Sequence, residues 1–177
     1  MNDNLTAVDQ TFENIDGLFF QYDEMRHMNT CGGCQAKGQT PGELLAGHVA
    51  AATALARSIR PGVNIYLWSD MFDPNHNAVD SYYLVEGDIA GSWLGLTPDI
   101  TMFNWHLGDL AASLAFFSSR GHRQIIAGYY DSGDGTCAAD ELAAAEGIEG
   151  IVGMMYTTWS NDYSQLESYA ETARATR

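Results

Sequence analysis

Asp23 and Glu24 stand side by side directly after an apolar run, Gly17-Leu18-Phe19-Phe20-Gln21-Tyr22. Two carboxylates at one strand end raise each other's pKa, and a carboxyl raised in this way can donate a proton near neutrality. An acidic pair also suits the positive end of a helix, so spacing alone leaves a purely structural role open. Other clusters occupy equivalent places: Trp68-Ser69-Asp70, Trp105-His106, Tyr129-Tyr130-Asp131 and Trp159-Ser160-Asn161-Asp162 each close an apolar run. Aromatic faces among carboxylates are what grips the C–H faces and hydroxyls of a sugar. A tryptophan in such a place can equally be core.

Cys31-Gly32-Gly33-Cys34, just after His27, is a separate constellation. A CxxC near a histidine binds zinc or performs thiol chemistry. Structural zinc needs four ligands, and no second CxxC or paired histidine motif exists, so Cys31 and Cys34 are weak metal candidates. Reduced loop thiols or a local structural link are the favoured expectation, and no metal or other cofactor is expected. The histidines, at 27, 48, 76, 106 and 122, show no helical ligand spacing. Asp73-Pro74-Asn75-His76-Asn77 reads as a polar loop beyond a strand end. Asp131, Asp134 and Asp140 lack the spacing of a calcium loop.

The elements that must position these groups alternate in type. Strands are expected at roughly 17–22, 63–68, 100–105, 123–129 and 150–156. Helices are expected from Thr40 to about Arg60, Asp109 to Arg120, Ala138 to Glu146 and Tyr163 to Ala175, with a helical or irregular piece from Ala78 to Val85. Thr40 and Glu43 form a capping-box pattern, and Pro61-Gly62 ends that helix. Leu44, Leu45, Val49, Ala52, Leu55 and Ile59 give it a packing face. Strands alternating with helices indicate a parallel sheet, and Ile125-Ile126-Ala127-Gly128 is the continuous apolar run of a strand buried on both faces. No glycine-rich phosphate fingerprint follows any strand, which disfavours a nucleotide-binding doubly wound sheet. A (β/α) barrel gathers all strand ends at one mouth and fits better. The expected fold is therefore one α/β domain over residues 1–177, a partial TIM-type barrel of about five βα units. Since a closed eight-stranded barrel takes at least about 200 residues, either the chain is a fragment or a second copy covers the open edges.

Eight basic against 23 acidic residues give a net charge of -15. Such a surface repels phosphate backbones and anionic membranes, which excludes nucleic acid and membrane as expected partners. Lys37 is the only lysine, a composition suited to a salty medium. The N-terminus lacks the basic and apolar regions of a signal peptide, so the expected location is cytoplasmic, or secreted if a longer precursor carried a leader. The three cysteines, an odd number, do not suggest a disulfide framework.

Phe20-Gln21-Tyr22-Asp23-Glu24-Met25-Arg26 resembles the strand-four signature of family 20 glycoside hydrolases, the β-N-acetylhexosaminidases. The later segments extend the likeness in order. Trp68-Ser69-Asp70-Met71 resembles the fifth-strand segment and Phe103-Asn104-Trp105 the sixth-strand tryptophan. Tyr129-Tyr130-Asp131 resembles the tyrosine-x-aspartate of strand seven, and Tyr156-Thr157-Thr158-Trp159 the strand-eight tryptophan. Five short motifs in order cover roughly residues 15–170 and imply strands four to eight of the catalytic barrel.

The resemblance implies hydrolysis of terminal N-acetylhexosamine residues, in which the substrate's own acetamido group attacks the anomeric carbon. Glu24 would be the general acid/base, and Asp23 would orient the acetamido group. Tyr129 would bond its oxygen, with Tyr130 as substitute. Trp68, Trp105 and Trp159 would wall the pocket, and Asp70, Asp131 and Asp162 would serve substrate binding. Two features depart from the family. Ser160 and Asn161 follow the last tryptophan where an acid is usual, with Asp162 one step later. No segment supplies the family's first-strand arginine. These departures motivate the alternative of a non-catalytic carbohydrate-binding or assembly module, and a homodimer covering the open sheet edges is expected if this is the whole natural protein.

Overall fold

The structure is a computed structural model that describes residues 2–129, 131 and 137–175, with the side chains of residues 2, 129 and 175 left aside. Its strands are β1 (Gly17–Phe20), β2 (His27–Met28), β3 (Asn64–Trp68), β4 (Leu84–Val85), β5 (Thr101–Asn104), β6 (Arg123–Tyr129) and β7 (Ile151–Thr157). Its helices are α1 (Asn2–Thr11), α2 (Gly32–Gln35), α3 (Pro41–Ile59), α4 (Leu110–Ser119), α5 (Cys137–Ala144) and α6 (Leu166–Ala175). The five long strands form one parallel sheet in the order β1-β3-β5-β6-β7, while β2 and β4 pair as a small parallel arm.

Strand order therefore follows chain order. A doubly wound sheet reverses its order at a switch point, and none occurs among the described strands. With right-handed crossovers, an unreversed order places the connecting helices on one face. The result is an α/β fold with the architecture of a partial barrel, and the five strand ranges agree with the sequence expectation to within a few residues.

The helix face carries the main apolar core. Leu45, Val49 and Ala56 of α3 pack on Ile65 and Leu67 of β3, Met102 of β5 and Phe117 of α4. Leu110 and Leu114 of α4 cover Ile126 of β6. The expected packing stripe of α3 is centred on Leu45, Val49, Ala52 and Ala56, while Leu44, Leu55 and Ile59 are only half-buried. Its capping box is formed as expected: the Glu43 N–H donates to Thr40 Oγ1 (3.1 Å) and the Thr40 N–H to Glu43 Oε2 (2.9 Å). Two glycines let α3 approach its neighbour closely, because a Cβ on Gly42 or Gly95 would lie 2.2 Å from Ala90 O or 2.1 Å from Ala46 O.

The opposite face carries Phe19, Tyr66, Trp68 and Phe103 in edge-to-face contact, with Phe19–Phe103 centroids 4.8 Å apart and Phe19–Trp68 5.1 Å. Phe19 remains 39% exposed, as befits the inner face of a barrel wall that these strands alone do not close. Of the two alternatives for Ala78 to Val85 the irregular one holds, and the segment ends in the β4 strand. Two departures from expectation stand out: α6 begins at Leu166 and not Tyr163, and α1 has no counterpart in the apolar pattern. The polar sequence of α1 hid it; Leu5 packs on the core and Asp9 pairs with Arg60 at 2.5 Å.

Candidate functional site

The C-terminal ends of β1, β3 and β7, together with Trp105 just beyond β5, enclose a cleft of about 260 Å³. Asp23, Glu24 and Arg26 line one wall, and Trp68, Trp105, Thr157 and Trp159 the rest. Five residues singled out in the sequence thus converge on one space, although 45 positions separate Asp23 from Trp68 and 54 separate Trp105 from Trp159. A parallel sheet brings them together because every strand ends on the same side.

Glu24 is held in an unusual way. Its φ is +47°, in the left-handed region that costs a non-glycine residue energy. Its backbone N–H donates to Asp70 Oδ2 at 2.8 Å, which fixes the turn from below. The Arg26 guanidinium donates to Glu24 Oε2 at 2.5 Å, and the two side chains are 51% and 42% exposed, so this pair adds orientation more than stability. Arg26 also lies over the Tyr83 ring, 4.9 Å from its centroid.

Asp70 is fully buried beneath the cleft and does not line it. It gathers three donors: the Glu24 N–H, Asn77 Nδ2 at 2.9 Å and Trp105 Nε1 at 3.4 Å. Burial pushes its carboxyl up to about 6, and these hydrogen bonds pull the other way. The carboxyl that stands poised near neutrality through its environment is thus Asp70. Trp105 is pinned on its other side by the edge of His76, with centroids 4.4 Å apart. His76 stacks on His106 at 4.1 Å and 14°. Burial, and then the neighbouring His106, lowers His76 to about 4, so at neutral pH it is an uncharged aromatic wedge.

On the β7 side, Asp131 accepts from Thr158 Oγ1 at 2.5 Å, from the Trp159 N–H at 2.8 Å and from the Ser160 N–H at 3.0 Å. The Thr158 hydroxyl, chief among these, lowers its pKa. Asp131 is therefore a tether that sets Trp159 at the rim, where this indole is 70% exposed. Asp162 plays a similar part: its N–H donates to Thr158 Oγ1 (2.9 Å) and its Oδ1 accepts from the Ser164 N–H (2.9 Å). Tyr130 and the side chain of Tyr129 lie outside the described residues, as does Asp134.

Sequence reasoning missed the site roles of Arg26, Asn77, Thr157 and Thr158. Arg26 sits inside the quoted motif, two residues from Glu24, and that spacing was its only signal. Among the described residues, no group of three or more His, Cys, Asp or Glu side chains could hold one metal ion, and no helix is long and apolar enough to cross a membrane. A larger groove, about 940 Å³, lies between α5, β7 and α6, with Leu142, Ile151, Met154, Tyr169 and Ala173 among its lining. It has no converging acids and belongs to the open sheet edge. No protein-family model matches this sequence, and no curated protein matches it.

Proposed function

We propose that this chain is related to the family 20 glycoside hydrolases and that its strand-end cleft receives one terminal N-acetylhexosamine residue. The observation that carries this reading is the convergence of Asp23, Glu24 and three tryptophans from separate strand ends on one cleft. At about 260 Å³ the cleft lies just under the roughly 300–1,000 Å³ of drug-sized pockets, a scale suited to a single sugar ring.

In this mechanism the acetamido carbonyl oxygen of the substrate attacks C1 while Glu24 protonates the departing glycosidic oxygen. Asp23 orients the acetamido N–H and stabilises the positive charge that spreads onto the ring formed. Glu24, now a carboxylate, takes a proton from the water that reopens that ring. Trp68, Trp105 and Trp159 pack on the sugar's C–H faces. The hold of Arg26 on Glu24 favours a second reading, a carbohydrate-binding module without turnover, since a carboxylate engaged by a guanidinium must be released before it can donate.

Binding is tested by titrating N-acetylglucosamine while following indole fluorescence. Trp159→Ala should weaken affinity about tenfold and leave the unfolding midpoint nearly unchanged, because this side chain is 70% exposed at the rim. Saturable binding without hydrolysis of a chromogenic N-acetylglucosaminide selects the module, and absence of any binding removes both readings.

The same fold supports a homodimer. The sheet ends on β1 and β7, whose edges are unpaired among the described strands, and an apolar groove flanks β7. A two-fold axis along the barrel direction would join the β7 edge of each copy to the β1 edge of the other, keeping all strands parallel. A net charge of -15 per copy opposes this contact, so the dimer should strengthen as salt rises. Light scattering at micromolar protein checks it; a monomer at both low and molar salt would refute it.

A further inference from the structure

The β2–α2 arm carries two thiols that the sugar site does not use. Cys31 is exposed and Cys34 half-exposed at the two ends of one tight turn. The Cys34 N–H donates to Cys31 O at 3.0 Å and to Cys31 Sγ at 3.3 Å, which ties the first cysteine of the turn to the second. Residues three apart in such a turn fall within the Cα separation that a disulfide spans, about 4.4–6.8 Å. Cys137 sits elsewhere, at the start of α5 against the Ala138–Tyr169 cluster.

A metal site is the competing use of such a pair. It fails for want of ligands, since no third His, Cys, Asp or Glu among the described residues completes a cluster. The near histidine, His27, is engaged instead with the Thr30 hydroxyl through Nε2 at 3.1 Å. What remains is thiol chemistry, and the two sulfurs are differentiated for it. Hydrogen bonds from Cys34, its backbone N–H first, hold the Cys31 thiol below its usual value, whereas the Cys31 sulfur pushes Cys34 up. One cysteine is the better nucleophile and the other the better resolving thiol.

We propose that Cys31 and Cys34 form a reversible dithiol–disulfide couple that exchanges with low-molecular-weight disulfides and braces the arm beside the cleft. Cys31 thiolate attacks one sulfur of the small disulfide, forms a mixed disulfide and releases one small thiolate. Cys34 then gives up its proton and attacks Cys31 Sγ, displacing the second small thiolate. The protein's two thiols are oxidised to one disulfide, and the small disulfide is reduced to two thiols. The bond closes a turn already tied to the opposite strand: Gln35 Nε2 donates to Glu86 Oε2 at 2.6 Å, Asn29 Nδ2 to Glu86 O at 3.1 Å, and β2 pairs with β4. Arg26, one residue before β2, connects this arm to Glu24.

The test equilibrates the full chain in mixtures of oxidised and reduced glutathione, blocks remaining thiols with N-ethylmaleimide and maps them by mass. Oxidation should remove both blocking sites at 31 and 34 together, with a loss of two hydrogens and no change at Cys137. Cys34→Ser should trap glutathione on Cys31, and Cys31→Ser should leave Cys34 slow to react. Independent glutathione adducts on Cys31 and Cys34 in the unsubstituted chain would overturn the couple. Cross-links between chains, or stoichiometric zinc that blocks both thiols, would do so too.

Discussion

Glu24→Gln should lower kcat/KM on a chromogenic N-acetylglucosaminide by about 100-fold or more, the range that a lost general acid commands. The substitution keeps the shape of the side chain and its place at the cleft wall, so sugar affinity and unfolding midpoint should stay near those of the unsubstituted chain. The size of the loss depends on the leaving group. A nitrophenolate departs with little help from an acid, whereas a sugar alcohol needs the proton, so a disaccharide should suffer more than the chromogenic substrate. Equal rates for both proteins, above the uncatalysed background, would remove Glu24 from the mechanism. Asp23→Asn tests the partner role on the same assay and should also depress turnover, since the charge that develops on the acetamido ring would lose its counter-ion.

The second large effect concerns Asp70 and stability. Burial raises its carboxyl from 3.8 to about 6 in the folded protein, and the unfolded chain restores the ordinary value. A folded pKa above the unfolded one means that the folded state holds the proton more tightly. The stabilisation from this group is then fully present below about pH 4 and is lost as pH rises through about 6. Between about pH 4 and about pH 7.5 the loss amounts to about 2 kcal/mol. Asp70→Asn removes the titration, so the difference in unfolding free energy between the unsubstituted chain and this variant should move by that amount over the same range. Urea unfolding at several pH values reads it. Asp73, also raised by burial, contributes with the same sign in both proteins and cancels in the difference. A difference that stays flat with pH would mean that Asp70 does not titrate there.

The same residue has a positioning role. An acceptor that binds the Glu24 N–H and the Trp105 indole at once links two walls of the cleft. Glu24 keeps its left-handed backbone because this buried carboxylate over-determines it, a local cost sustained by the surrounding packing.

Legibility differed between fold and site for physical reasons. The βα alternation was written in apolar runs and in terminators such as Pro61-Gly62, because strand burial and helix capping depend on near neighbours in the chain. The capping box at Thr40 and Glu43 was visible for the same reason. The polar helix α1 was not, since it holds its place through Leu5 on the core and Asp9 on Arg60, contacts made across the fold. Within the site, the strand-end positions of Asp23, Glu24, Trp68, Trp105 and Trp159 marked them as candidates. The roles of the acids were not marked. Asp70 and Asp131 both follow aromatic residues at strand ends, yet one is fully buried and protonates near pH 6 while the other spends its carboxylate on the backbone of Trp159 and Ser160.

The sequence by itself determined the strands, most of the helices and the side of the sheet on which the acids and tryptophans gather, because strand and helix signals are local and parallel strands share one end. Only the tertiary structure decided which carboxylate is buried, that Arg26 engages Glu24, and that Asp131 and Asp162 brace the Trp159 loop. Those outcomes depend on desolvation and on hydrogen bonds between residues far apart in the chain, and no local pattern encodes either.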